Sequence, residues 1–170
     1  MTIALNTSAP VAAPAAVGAA VADVTSLLPP REAVLDRLAE RLLTSHTTPA
    51  TLLVIGLMRR DDGWPTARST LAAVATLLAR SLRGDDYLAM SGPGEFVVLL
   101  SGPVDAAEPA AARLVTAIGE LGIEGLTTAA GITALAPDVD AAEVLRRGLV
   151  SLTSARRAGA CTVIRYREPY

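Results

Sequence analysis

Residues 87–100 read YLAMSGPGEFVVLL. Two apolar runs, residues 87–90 and 96–100, flank residues 91–95, which include two glycines and a proline. Glycine tolerates positive φ and proline presets φ, so this composition is typical of a reversal between two strands. The stretch therefore predicts a β-hairpin with its turn at residues 91–95.

Helices and strands alternate on both sides of this hairpin. Apolar residues at three- and four-residue spacing predict helices at residues 30–43, 66–83, 104–120 and 139–157. Short apolar runs predict strands at residues 51–57, 126–134 and 161–166. Gly84 is expected to end the second helix, and residues 59–65 are expected to form a loop. The order of elements predicts an α+β domain of ferredoxin-like layout, with helices packed on the faces of a sheet.

Composition limits the classes of protein. The chain has 170 residues, of which 51% are hydrophobic and 19% charged, which suits a single domain with one core. A formal net charge of −2 gives no indication of a basic surface that would bind nucleic acid or an anionic membrane, and we expect neither partner. The lone Cys161 excludes a disulfide within the chain and a CxxC metal site, so we expect a cytoplasmic protein.

The first residues differ in composition from the rest. Residues 1–22 are rich in alanine and proline and contain no basic residue, unlike a signal peptide. Their apolar run is also interrupted by proline and falls short of the roughly 20 residues that a membrane span needs. We expect residues 1–22 to form a flexible tail, residues 23–170 to form the domain, and no segment to span a membrane.

Two motifs resemble the GGDEF family of bacterial diguanylate cyclases. Residues 23–31, DVTSLLPPR, are similar to the family's opening D-x-L-T-G-L-P-N-R. The hairpin turn, Gly92-Pro93-Gly94-Glu95-Phe96, resembles the GGDEF signature itself and matches it at the first, fourth and fifth positions. Both motifs lie in the order that the family has.

Two further motifs extend the resemblance to about residues 22–166. Arg83 and Asp86 form an R-x-x-D whose distance from the turn is that of the family's inhibitory site. Residues 155–163, ARRAGACTV, are similar to the segment A-K-x-x-G-R-N-x-V that leads into the family's last strand. The resemblance implies the palm fold of nucleotidyl cyclases, with a central, mainly antiparallel sheet of five strands flanked by helices.

The resemblance also implies where catalytic groups would lie. Diguanylate cyclases join two GTP molecules with the help of magnesium, which prefers oxygen ligands. In the family one carboxylate follows the first strand and another is the third residue of the signature, and these positions here are Gly56 and Gly94. Asp61 and Asp62 lie nearby and are the acids that could substitute.

Other positions of the family's GTP site are altered as well. Pro93 lacks the backbone N–H of the glycine it replaces, and Arg68 stands where the family has a guanine-binding aspartate. Arg156 retains a positive charge at the family's phosphate-binding lysine, whereas Ala160 replaces a neighbouring arginine. We therefore expect a degenerate signature, no enzymatic activity and no magnesium cofactor.

The inhibitory site of the family binds the product, cyclic di-GMP. Its counterparts here are Arg83, Asp86 and, with a shift of one residue, Arg113. Arginine can bind the O6 and N7 of guanine or a phosphate, and a carboxylate can accept from guanine N–H groups. In the alternative interpretation, Arg83 merely caps a helix end and Asp86 merely begins a strand.

Three functional hypotheses follow. The first is a non-catalytic cyclic di-GMP receptor that passes the signal to a partner protein. The second is a protein-interaction or homodimerisation module that binds no nucleotide. The third is a residual cyclase that uses displaced acids.

Overall fold

The computed structural model describes residues 27–59 and 66–168. It contains helices α1 (Arg31–Leu42), α2 (Arg68–Ser81), α3 (Val104–Gly119) and α4 (Ala141–Ala158). Its strands are β1 (Ala50–Arg59), β2 (Tyr87–Gly92), β3 (Glu95–Ser101), β4 (Leu126–Ala134) and β5 (Val163–Arg165). The predicted order of elements is confirmed. The expected tail, the start of the first motif, and Asp61 and Asp62 lie outside the described residues.

The strands form one mixed sheet. Its five strands follow the order β2-β3-β1-β4-β5, in which only β4 and β5 are parallel. The predicted α+β class, with a mainly antiparallel five-stranded sheet flanked by helices, is confirmed. None of the described helices is both long and apolar enough to cross a bilayer.

Helices cover both faces of the sheet. Alternate residues of β1 point to opposite faces, so Leu53 and Ile55 pack with α2 and α3, whereas Leu52 and Val54 pack with α1 and α4. All residues of β1 from 50 to 57 are buried. This two-sided burial explains why the strand reads as a continuous apolar run instead of an alternating one.

The hairpin turn is tighter than the sequence predicts. Gly92 pairs with Glu95, so the loop between the strands is only Pro93 and Gly94, and Ser91 lies at a bulge in β2. Gly94 has φ of 67°, which with proline before it is typical of a type II turn. The predicted five-residue turn was therefore too long.

Several predicted ends of elements were wrong, including those of the last strand, which spans residues 163–165 instead of 161–166. β1 continues to Arg59, where the sequence predicts the start of a loop, because Arg59 still pairs with Leu126 of β4. Helix α2 ends at Ser81, and the chain leaves it through Leu82 in an extended conformation. Gly84 therefore does not terminate the helix with a positive φ, as it would in a glycine cap.

Candidate functional sites

The signature turn lies against the first strand. Glu95, the first residue of β3, is opposite Gly56 of β1 and Gly92 of β2. The N–H of Leu57 donates to the carbonyl oxygen of Gly94 over 2.8 Å. The two positions where the family has metal-binding carboxylates, Gly56 and Gly94, thus lie at the same corner of the sheet.

An ion pair fills this corner. Arg156, in the last turn of α4, donates from Nη1 to Oε1 of Glu95 over 2.9 Å. Their side chains are 32% and 21% exposed, so the pair is partly shielded from solvent. The other carboxylate oxygen of Glu95 lies 3.4 Å from the hydroxyl of Ser91. The only acid of the signature therefore already has a cationic partner within the chain.

Gly56 provides the space for this pair. A Cβ atom at Gly56 would lie 2.5 Å from Nη2 and 2.7 Å from Nε of Arg156. The guanidinium group occupies the volume in which a side chain at position 56 would begin. The sequence singles out Arg156 as a possible phosphate ligand but does not predict its pairing with Glu95, which lies 61 residues away in the chain.

The described part of the chain contains no cluster of potential metal ligands. Within residues 27–59 and 66–168, no group of three or more histidine, cysteine or acidic side chains could hold a metal ion. Arg68 is exposed at the first position of α2. The chemistry that the described side chains offer here is that of a neutral ion pair.

A second cluster forms at the opposite end of the hairpin. Arg83, Asp86 and Arg113 line one hollow of about 120 Å³ between the turn after α2, the end of β3, and α3. Leu100 and Leu114 contribute apolar surface to it. The structure thus brings together all three residues that the sequence suggests for cyclic di-GMP.

Asp86 has a structural role in this cluster. Its Oδ2 accepts from the backbone N–H of Arg83 over 2.9 Å, and its Oδ1 accepts from that of Ser101 over 3.2 Å. The carboxylate closes the turn before β2 and ties it to the end of β3, much as the alternative interpretation expects. Each carboxylate oxygen has a further lone pair, so Asp86 can still accept from a ligand.

The two arginines are free to bind. Arg83 and Arg113 are exposed, and neither guanidinium group makes a hydrogen bond or ion pair with any residue in the described part of the chain. By contrast, Arg146, Arg156 and Arg165 are each held by an acid. The hollow therefore presents two uncommitted cations beside a carboxylate.

Sequence reasoning missed one member of this region. Ser101 lines the hollow, donates its backbone N–H to Asp86, and accepts from Nη2 of Arg41 over 3.2 Å. It therefore links the hollow to α1. No motif marks Ser101, because its position depends on where β3 ends relative to the turn before β2.

The arrangement of sheet, helices and signature corner defines a GGDEF-like fold. Solved structures with this fold include the active GGEEF domain of a diguanylate cyclase from Vibrio cholerae, at 20% identity and a TM-score of 0.72. That match covers 84% of this chain and 99% of the other. No protein-family model and no curated protein sequence matches the chain.

Two further structures are similar at comparable levels. The GGDEF domain of DgcB from Caulobacter crescentus, in complex with c-di-GMP, is 17% identical with a TM-score of 0.71, and the match covers 83% of this chain and 92% of that one. The diguanylate cyclase SiaD from Pseudomonas aeruginosa, in complex with its activator SiaC, is 23% identical with a TM-score of 0.74, and the match covers 84% and 60% of the two chains. At identities this low, the structural similarity establishes a shared fold alone.

Proposed function

We propose that the chain is a non-catalytic GGDEF-like signalling domain that binds cyclic di-GMP through Arg83, Asp86 and Arg113. The observation that carries this proposal is that two arginines with uncommitted guanidinium groups line one hollow together with the carboxylate of Asp86. The complex of DgcB with c-di-GMP supports it, because that domain has the same fold.

The chemistry of the hollow suits a guanine base. Arg83 and Arg113 can donate to O6 and N7 of guanine or to a phosphate, while Asp86 can accept from guanine N–H groups. A volume of about 120 Å³ is small for a dinucleotide, so one base edge enters and the rest of the ligand lies over the exposed arginines. Leu100 and Leu114 provide apolar contact for the base.

The signature corner supports the absence of catalysis. Gly56 and Gly94 offer no side-chain carboxylate for magnesium, and Glu95 is paired with Arg156. A guanidinium group placed over Gly56 also repels a cation there. The described residues of this corner therefore do not fit the metal that the family's reaction requires.

Calorimetric titration of the full chain with cyclic di-GMP tests the proposed binding of this ligand. We expect saturable binding at micromolar ligand, and we expect Arg83→Ala or Arg113→Ala to weaken it by about 10- to 100-fold, because each removes charged hydrogen bonds. Arg80→Ala is the matched control, since Arg80 is exposed in the last turn of α2 and does not line the hollow. Absence of heat would contradict the proposed receptor function, and binding unchanged by Arg83→Ala would contradict the proposed site.

Incubation with GTP and magnesium tests the loss of catalysis. We expect no cyclic di-GMP product by chromatography, even at high protein concentration and long times, because the carboxylates that hold magnesium are missing. An active diguanylate cyclase domain run in parallel verifies the assay. Product that increases with the concentration of this protein would show that other acids, such as Asp61 or Asp62, replace the missing ligands.

A second candidate function is a protein-interaction or homodimerisation module that binds no nucleotide. The bonds of Asp86 to the backbone of Arg83 and Ser101 favour it, because they account for the R-x-x-D without a ligand. The complex of SiaD with SiaC supports the idea that this fold binds proteins. A silent titration together with a stable dimer or partner complex would select this function.

A further inference from the structure

The last residue of β3 connects the two faces of the sheet. Leu100 packs with α2 and α3 and lines the hollow, whereas Leu99 packs on the opposite face with α1. Because successive side chains of a strand point to opposite faces, the hydroxyl of Ser101 lies on the face of α1. Ser101 itself still lines the hollow. A shift of Ser101 on the face of α1 therefore reaches the hollow on the other face.

The backbone N–H of Ser101 is bound by Asp86. The pairing of β2 with β3 begins at Tyr87 and Leu99, so Ser101 lies beyond the paired part of β2. Oδ1 of Asp86 accepts from this N–H over 3.2 Å, where a longer β2 would offer a carbonyl, and Oδ2 accepts from the N–H of Arg83 over 2.9 Å. Two backbone donors thus fix the orientation of the carboxylate, and Ser101 supplies the longer of the two bonds.

The hydroxyl of Ser101 is bound by Arg41. Nη2 of Arg41, in the last turn of α1, donates to Oγ of Ser101 over 3.2 Å in a half-buried position. Within the described part of the chain, Arg41 forms no ion pair, and this is its one side-chain hydrogen bond. By contrast, Arg37 of the same helix is paired with Glu40. The guanidinium group of Arg41 therefore joins α1 to the end of β3.

We propose that Arg41 is a positioning residue for the hollow. Through the hydroxyl of Ser101 it keeps the Ser101 N–H on Asp86, and so keeps the carboxylate oriented toward a guanine base. Arg41 does not line the hollow, so it acts through Ser101 without contact to the ligand. Its effect on affinity rests on the binding of cyclic di-GMP proposed above, whereas its effect on the Ser101 N–H does not.

Hydrogen exchange of backbone amides in the ligand-free full chain tests the bond to Asp86. We expect Arg41→Ala to speed exchange of the Ser101 amide about three- to tenfold, because a hydrogen bond that protects it is weakened. The Gly102 amide donates to the carbonyl of Pro49 over 2.9 Å and should keep its rate. An unchanged rate at Ser101, or equal acceleration at Ser101 and Gly102, would overturn the role of Arg41, since the latter is general fraying of the strand end.

Calorimetric titration with cyclic di-GMP tests the effect on affinity. Arg41→Ala and Ser101→Ala are each expected to weaken binding about three- to tenfold, and the double variant no more than either alone, because both remove the same bond. Ser101→Thr restores a hydroxyl and is expected to recover most of the affinity that Ser101→Ala loses. Arg31→Ala, at the exposed first residue of α1, is the control for loss of an arginine charge and should have little effect.

Loss of the Arg41 role and loss of the receptor give different results. If the parent binds and Arg83→Ala weakens binding while Arg41→Ala does not, Arg41 has no positioning role. Additive effects of Arg41→Ala and Ser101→Ala would also overturn it, because Arg41 would then act by its charge alone. A parent that binds no cyclic di-GMP would overturn the proposed function and the effect of Arg41 on affinity together. Circular dichroism establishes that each variant is folded.

Discussion

Phe96→Ala is expected to lower the free energy of unfolding by about 3–5 kcal/mol. Among the described residues, Phe96 is the largest with a fully buried side chain, and it packs in the core between the sheet, α2 and α3. Removal of the ring leaves a cavity that β-sheet neighbours such as Ile55 cannot fill without moving the sheet. Since a domain of this kind has about 5–15 kcal/mol in total, the loss is a large share.

Urea unfolding followed by circular dichroism measures this effect. Glu95→Ala, one residue earlier in the same strand, is the control, and we expect it to cost at most about 1 kcal/mol, because the ion pair with Arg156 is only partly buried. Phe96→Leu should fall between the two. If Phe96→Ala cost no more than Glu95→Ala, the signature turn would not be anchored by the core as its burial indicates.

This contrast separates two parts of the signature. Phe96 matches the family motif and is a core residue, so its presence follows from the fold. Glu95 matches the motif too, but it faces the corner where Gly56 and Arg156 lie. A residue that matches a motif can thus be explained by packing, and the structure is needed to distinguish the two cases.

Much of the fold could be predicted because it depends on local patterns. Apolar periodicity gave the order of helices and strands, and Pro93 with Gly94 gave the hairpin. The errors concern the ends of elements, which local sequence patterns do not determine. β1 runs on to Arg59 because β4 continues beside it, and α2 stops at Ser81 although the sequence remains apolar at Leu82.

The sites were predictable to different degrees. The spacing of Arg83 and Asp86 from the turn was sufficient to group them, the family resemblance suggested Arg113 as the third residue, and the fold places all three around the same hollow. The bonds of Asp86 to Ser101 and of Arg156 to Glu95 were not predictable, because each joins segments that only the folded sheet brings together.

Gly131→Ala is expected to destabilise the protein by about 3 kcal/mol or more, as overpacking against a rigid element does. Helix α4 lies directly on β4 at this glycine. A Cβ atom there would collide with the backbone N of Leu152 and the backbone O of Gly148, and would lie 2.8 Å from the carbonyl carbon of Ser151. Backbone atoms cannot rotate away, so the whole helix must move off the sheet.

The control for Gly131→Ala is Gly119→Ala, at the last position of α3. A Cβ atom at Gly119 meets nothing within 4 Å, so this variant should be neutral or gain up to about 1 kcal/mol from helix propensity. Urea unfolding of both variants measures the difference. A Gly131→Ala protein within about 1 kcal/mol of the parent would mean that α4 is not held at this distance.

The same variant also tests the signature corner. α4 carries Arg156 in its last turn, so a helix displaced from β4 moves the guanidinium group away from Gly56 and Glu95. Combining Gly131→Ala with Glu95→Ala should then cost less than the sum of the two single variants, because the ion pair is already weakened. Strict additivity would show that Arg156 holds its position over Gly56 independently of how closely α4 packs on the sheet.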